Sequence, residues 1–304
     1  MNDIKEILEQ HNYHLKGISY RKNAKILDTE EGKLIYKIKK KDKKDLFSYL
    51  KTKSFNNYLP IVNDYQEPYE LYEYIKEEKY DKQDKAMDLI YTLSMLHIKT
   101  TTYENIDLDE VKRIYEDTTK KISYLNSYYL DLQDYIETKV YMSPAEYLLM
   151  RNISKIYFSL NHSANLLENW YQEKVKQKKE RHALLHQNLS LDHFLKEEEG
   201  YFISWDHSKK GLVIYDFLNF YKNEYLTLEM ESLYELYQSK YQFNQNEKSL
   251  FFSLLLLPPK VELNKTNYIN TLEVRNLVTY IDKTNHFISQ EYKKNKKTNE
   301  EKFK

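Results

Sequence analysis

The stretch His182-Ala-Leu-Leu-His186-Gln-Asn188-Leu-Ser-Leu-Asp192-His193-Phe-Leu195, continued by Tyr201-Phe-Ile-Ser204-Trp205-Asp206, decides how this chain is read. It belongs to a compact strand–turn–strand region, 183–214, set between long runs of helical period. Upstream, Ala86, Leu89, Ile90, Leu93, Leu96 and His97 mark one face of a helix that begins near Asp84. Residues 107–138 and 144–178 read as further amphipathic helices. The second opens with Ser143-Pro144-Ala145-Glu146, which puts proline at the first helical position and an acid in the first turn. Downstream, 216–292 is helical again, with a break at Leu257-Pro258-Pro259. The beginning has a different period. Residues 1–13 predict a short helix, and 17–21, 25–29 and 33–39 predict three strands with a Glu31-Gly32 turn between the last two. A helix over 42–54 and two more strands, at 59–62 and 69–75, complete that part. A β-rich beginning followed by a mostly helical remainder gives class α+β.

Composition narrows the function. The chain has 304 residues, room for about two cores. Lys+Arg and Asp+Glu both number 47, so no global field draws in nucleic acid or a membrane surface. The absence of cysteine removes disulfides, thiolate metal sites and cysteine nucleophiles. The polar start MNDIKEILEQ shows no signal-peptide pattern, and the apolar run 254–257 is too short to span a bilayer. The expectation is therefore synthesis and folding in the cytoplasm, without secretion. Glycine occurs only at 17, 32, 200 and 211, so no glycine-rich phosphate loop exists. Tyrosine occurs 31 times; this suits an AT-rich coding bias or a tyrosine-dense assembly surface.

With its neighbours, the deciding stretch resembles the catalytic core of the aminoglycoside phosphotransferase/choline kinase superfamily. The resemblance lies in His186-Gln-Asn188 with His193 beyond it, for the family's H-x-D-x-x-x-x-N. It continues in Ile203-Ser204-Trp205-Asp206 for I-D-[WF]-[DE], Tyr215-Asp216-Phe217-Leu218 for [YF]-D-L-A, and Leu93-Ser-Met-Leu96-His97 for the L-A-x-L-H helix. Lys37 falls where a third-strand lysine belongs, and Glu70 to Ile75 resembles the hinge. Tyr141-Met-Ser-Pro-Ala-Glu-Tyr-Leu-Leu and Leu254-Leu-Leu-Leu-Pro258-Pro259-Lys are similar to the CotS/YutH-type spore-coat kinase-like proteins. The resemblance implies a protein-kinase-like bilobal fold: a small β-rich N-lobe over 1–77, a larger, mostly helical C-lobe over 78–292, and a charged, disordered tail over 293–304.

The matched positions depart from the family where the chemistry sits. The resemblance assigns the base position to Asn188, whose carboxamide is no base near neutral pH; such proton transfer contributes about 10²–10⁴-fold. The metal-chelating asparagine is replaced by His193, a nitrogen ligand ill-suited to magnesium, and the metal-bridging aspartate by the uncharged Ser204. Phosphoryl transfer depends on metal-assisted positioning. The helix at 42–54 lacks the glutamate that would hold Lys37, leaving Asp45 as candidate. An alternative stays open: Asp206, two residues from Ser204 and so on the same face of a strand, would join Asp192 in a rearranged metal site. Lys37 reads equally as a phosphate contact or an ordinary strand lysine. His186 reads as a loop brace, His97 and Asp216 as structural, Trp205 as core. The spacing of His182, His186 and His193 does not suit zinc.

The reading is thus a catalytically degenerate kinase-like protein, a structural or scaffolding partner of spore-coat proteins, with the spore coat as its destination. The alternative is an active ATP-dependent small-molecule phosphotransferase. ATP and Mg²⁺ would be its ligands; the degenerate reading requires neither.

Overall fold

The computed structural model describes residues 2–21, 24–77 and 79–302. The chain packs as two compact units: 1–101 with 183–211, and 102–182 with 212–304. The expected boundary at 77/78 adjoins Glu78, which lies outside the described residues. The packing instead keeps the following helix, and the hairpin that holds the deciding stretch, with the first unit.

In the first unit, α1 (Asn2–Gln10) precedes β1 (Leu15–Arg21), β2 (Ala24–Thr29) and β3 (Lys33–Ile38). Then come α2 (Lys44–Thr52), β4 (Tyr69–Glu73) and α3 (Lys82–Thr100). The four strands form an antiparallel sheet in the order β1-β2-β3-β4. Segment 59–62, expected as a strand, contributes only an isolated bridge from Ile61 to Tyr72. The turn into β3 needs Gly32, whose φ of 145° lies where side chains are rarely tolerated. Leu27, Leu34 and Leu71 alternate inward and close a small core with Ile4 and Leu8 of α1. The register sets Lys37 opposite Glu70 and Ile35 opposite Tyr72, which brings the chemistry of β3 and β4 to one place. Strands β7 (Phe194–Lys196) and β8 (Gly200–Phe202) form a hairpin in the same unit. At Gly200 a Cβ would stand 2.1 Å from the buried Phe194 ring, so this close approach excludes a side chain.

In the second unit, β5 (Thr102–Asn105) pairs antiparallel with residues 179–182 of β6 (Lys179–Leu185). The last residues of β6, 183–185, pair in the first unit with β9 (Lys209–Gly211). Strand β5 was not anticipated; with four residues and a distant partner it has no period of its own. The helices are α4 (Leu108–Glu137), α5 (Pro144–Lys174), α6 (Ile214–Glu224), α7 (Met230–Lys240), α8 (Gln245–Leu256) and α9 (Asn267–Lys302). Ser143 and Glu146 close a capping box on α5, as their spacing predicts. Part of the tyrosine excess is core: Tyr129, Tyr221, Tyr234 and Tyr237 are fully buried with Phe217, Phe251 and Phe287, while others, such as Tyr20, Tyr103 and Tyr141, are exposed. The Tyr129 and Tyr128 hydroxyls donate to the carbonyls of Pro259 and Val261, at 2.7 and 2.8 Å, and so tie down the proline break.

The tail expected to be disordered is helical through Lys302, in keeping with the helix propensity of Lys and Glu; residues 303–304 lie outside the described residues. Among the described residues no helix is long and apolar enough to cross a membrane. One unit with a small antiparallel sheet and a second, larger helical one make the α+β, protein-kinase-like architecture that the sequence implied.

Candidate functional site

His186, fully buried after β6, donates from Nε2 to the carbonyl of Ile203 at 2.9 Å. Its ring lies 5.0 Å from Phe202 and 4.8 Å from Trp205, centroid to centroid. The histidine thereby fastens the loop 186–193 to the segment 203–206. The Trp205 indole N–H donates to the Phe202 carbonyl, and the ring is core. Asn188, at the base position, reaches the Ser204 carbonyl with its Nδ2 at 3.5 Å, a long contact. The Asn188 carbonyl accepts from Nδ1 of His193 at 2.9 Å, so that ring nitrogen must carry the proton.

A cleft of about 240 Å³ opens beside this loop, with Ile35 and Lys37 on the sheet side, Tyr74 and Ile75 after β4, and His193 and Ser204 opposite. The hinge-like segment and four of the sequence-selected residues, Lys37, Asp192, His193 and Ser204, do therefore line one space. A second cavity of about 40 Å³ is bordered by Phe47, Leu59, Phe202 and Trp205 and by the polar side chains of Lys37, Lys43, Glu70, Ser204 and Asp206. That is room for little more than water.

Ser204 stands at φ 64°, ψ 50°, a left-handed conformation costly for a residue with a side chain, and begins a short 3₁₀ turn over Trp205–His207. This corrects the expectation that Ser204 and Asp206 share the face of a strand. The chain turns at Ser204, and the Asp206 carboxylate is carried to Lys43 at 2.9 Å. Lys43 is the residue that sequence reasoning missed. Its ammonium lies 2.7 and 3.0 Å from the two oxygens of Glu70, with side-chain exposures of only 5% and 4%. Tyr72 donates its hydroxyl to the same Glu70 carboxylate at 2.7 Å. A signal existed: Lys43, Phe47 and Leu50 fall at i, i+4 and i+7, so the lysine occupies an apolar-stripe position, with Phe47 and Leu50 buried on α2. Asp45, the expected partner of Lys37, is exposed.

The electrostatics follow. Burial pushes the Asp206 carboxyl up, but the hydrogen bond and charge of Lys43, with the charge of Lys37, hold it below the ordinary aspartate value. Burial draws the Lys37 ammonium down, with Asp206 and Glu70 opposing. The Lys37 Nζ lies 5.8 Å from the Tyr72 ring centroid. His97 is fully buried on α3; Asp216 is fully buried in the first turn of α6 and belongs to the second unit.

These residues do not fit magnesium. The ion demands oxygen ligands, usually including carboxylate. His193 offers a ring nitrogen, Ser204 a neutral hydroxyl, and the Asp206 carboxylate is engaged by an ammonium. Among the described residues, the group of three acidic or histidine side chains with ligand atoms within 4.8 Å is the exposed His14, Glu30 and Glu31, and no such group includes Asp192, His193 or Asp206.

No family model matches the chain, and no curated protein matches it. Solved structures do. An aminoglycoside phosphotransferase from Alicyclobacillus acidocaldarius superposes with a TM-score of 0.66 at 10% identity, over 92% of each chain. The AMP-bound complex of a spectinomycin phosphotransferase gives 0.56 at 13% identity, over 93% of this chain and 97% of that one. The same enzyme with ADP and spectinomycin gives 0.51 at 11%. At these identities the likeness is one of fold: this chain folds as the aminoglycoside phosphotransferases do.

Proposed function

We propose that this chain is a kinase-fold protein without phosphoryl-transfer activity, serving as a structural or scaffolding component. The observation that carries the reading is the engagement of Asp206 by Lys43, because a repaired site with Asn188, His193 and Ser204 at its working positions needs both Asp206 and Asp192, and Asp206 is held by an ammonium. Proton acceptance and metal charge are then both missing from a reaction that consists of positioning and charge neutralisation. The resemblance of 141–149 and 254–260 to spore-coat kinase-like proteins supports coat proteins as the partners and the spore coat as the destination. The balanced charge of the chain supports neither nucleic acid nor membrane as a partner.

The test is ATP consumption with magnesium and a panel of amino-alcohol and aminoglycoside acceptors. The expected result is no turnover above the background of a heat-denatured sample. Turnover that disappears in both Lys37→Met and Asp206→Asn would overturn the reading in favour of a rearranged, active phosphotransferase. A fluorescent fusion in a sporulating bacterium tests the destination: a ring at the forming spore supports it, and uniform cytoplasmic signal removes it.

A further inference from the structure

Core packing leaves part of the tyrosine excess unexplained, and one pair outside the core is arranged for chemistry. Tyr115 on α4 and Tyr171 on α5, both half-buried, stack at 4.3 Å between ring centroids with 26° between their planes. The Tyr115 hydroxyl donates to Oε2 of Glu168 at 2.6 Å. Glu168 sits one turn before Tyr171 on the same helix, and Nε2 of Gln172 donates to its other oxygen at 2.8 Å. These two bonds hold the carboxylate against the phenol and keep it below the ordinary glutamate value, so it is ionised. The same bond raises Tyr115, which stays a neutral donor. Two other stacked tyrosine pairs differ. Tyr36–Tyr69 has the Lys25 ammonium over the Tyr36 ring, and Tyr124–Tyr128 has the Lys260 ammonium over both rings. A cation opposes removal of an electron from the ring, whereas a carboxylate on the hydroxyl favours it and takes the proton.

We infer that Tyr115 and Tyr171 form an oxidative modification site, at which a one-electron oxidant joins the two rings into an intrachain dityrosine. The co-reactant is a peroxide, acting through a haem peroxidase. Each phenol gives up one electron and one proton; the Tyr115 proton passes to Glu168 and the Tyr171 proton to water. The two phenoxyl radicals couple through ring carbons ortho to oxygen. The hydrogens on those carbons then move as protons to the oxygens, which restores two phenols. The two electrons and two protons released reduce one hydrogen peroxide to two waters. Stacking makes the coupling intramolecular, so it outruns encounters between exposed tyrosines of separate chains, such as Tyr20, Tyr103 and Tyr141. The product pins α4 to α5 by a covalent bond within the second unit. The inference is independent of the proposed loss of phosphoryl transfer: it needs neither nucleotide nor acceptor.

The experiment treats the full chain, in dilute solution, with a haem peroxidase and hydrogen peroxide. Dityrosine fluorescence gives the rate, and mass spectrometry of tryptic peptides gives the positions. The expected main product joins peptide 114–120 to peptide 156–174 through Tyr115 and Tyr171, with the loss of two hydrogens. Tyr171→Phe should abolish it. Glu168→Gln should slow it on the order of tenfold, less than the loss of a full general base because water takes the proton instead. The urea-unfolded chain should lose the preference for this pair. Cross-links spread over the exposed tyrosines of the native wild type overturn the inference, as does a preference for the pair that survives unfolding. A folded Glu168→Gln that couples at the wild-type rate overturns it equally. If a variant is unfolded, the native and urea-unfolded wild-type maps decide alone.

Discussion

Two buried charge clusters, one in each unit, have the same arithmetic and different consequences. In the first unit Lys37 and Lys43 balance Glu70 and Asp206. In the second, Lys174 and His182 balance Glu180 and Glu104: Lys174 to Glu180 at 2.7 Å, His182 Nε2 to Glu180 at 3.3 Å, and His182 Nδ1 to Glu104 at 2.9 Å. The second cluster is local to a strand pair, since Glu104 and Glu180 face each other in the β5–β6 register. It staples a four-residue strand that would otherwise have little to hold it. The first gathers side chains from β3, from just before α2, from β4 and from a turn after β8, and closes carboxylates that border the small second cavity. The lesson is that charge balance alone does not mark a functional site; what the carboxylates would otherwise face does.

The largest expected effect breaks the first cluster. Lys43→Met removes the ammonium that touches both acids and leaves Glu70 in a nearly dry place beside the partly exposed Asp206. Breaking a buried ion pair from one side costs on the order of 3–5 kcal/mol, and urea denaturation in metal-free buffer should show a loss of that size. A loss under about 1 kcal/mol would mean that the acids are effectively solvated, as in surface pairs, and that the two clusters do not belong in one class.

Lys174→Met sharpens the comparison. Lys174 and Glu180 are as buried as Lys43 and Glu70, at 6% and 7% side-chain exposure. Yet Glu180 keeps His182 as a second cation, so the expected loss is smaller, roughly 1–3 kcal/mol, the cost of an incompletely partnered buried group. The same urea measurement decides it. An equal loss in both variants would deny His182 any compensating charge.

The contrast also explains what could be read from the sequence. Local devices were legible: the period of β3, the Glu31-Gly32 turn, the Ser143–Glu146 capping box and the Leu257-Pro258-Pro259 break each need only a few adjacent residues. The loop role of His186 was legible too, because its contacts lie within one short stretch of chain. The Lys43 cluster was not. Its partner Glu70 is 27 residues away and Asp206 lies far downstream, so no spacing rule joins them. Asp206 was placed beside Ser204 on a strand because apolar alternation continues through Phe202; the left-handed backbone at Ser204 that ends the strand leaves no mark on a residue that is not glycine. The pairing of β5 with β6 depends on register and is equally silent.

The smallest expected effect separates the clusters by pH. His182 contacts a carboxylate with each ring nitrogen, which only the imidazolium can satisfy as a double donor. Its hydrogen bond to Glu180, opposed by burial and aided by Glu104, raises it above the ordinary value of 6.5. A group raised on folding contributes stability that is fully present below its unfolded value and is lost as pH rises through the folded one. Wild-type stability should therefore fall relative to His182→Gln as the pH rises above about 6.5. The paired measurement is needed because Lys222, drawn down to about 8 by burial and by Lys121, adds a rise in stability with the opposite sign from about pH 8 upwards. Lys43, Glu70 and Asp206 involve no imidazole, so Lys43→Met should show the same decline with pH as the wild type. A flat difference between wild type and His182→Gln would mean that the ring is neutral in the folded chain, bonded to one glutamate rather than two.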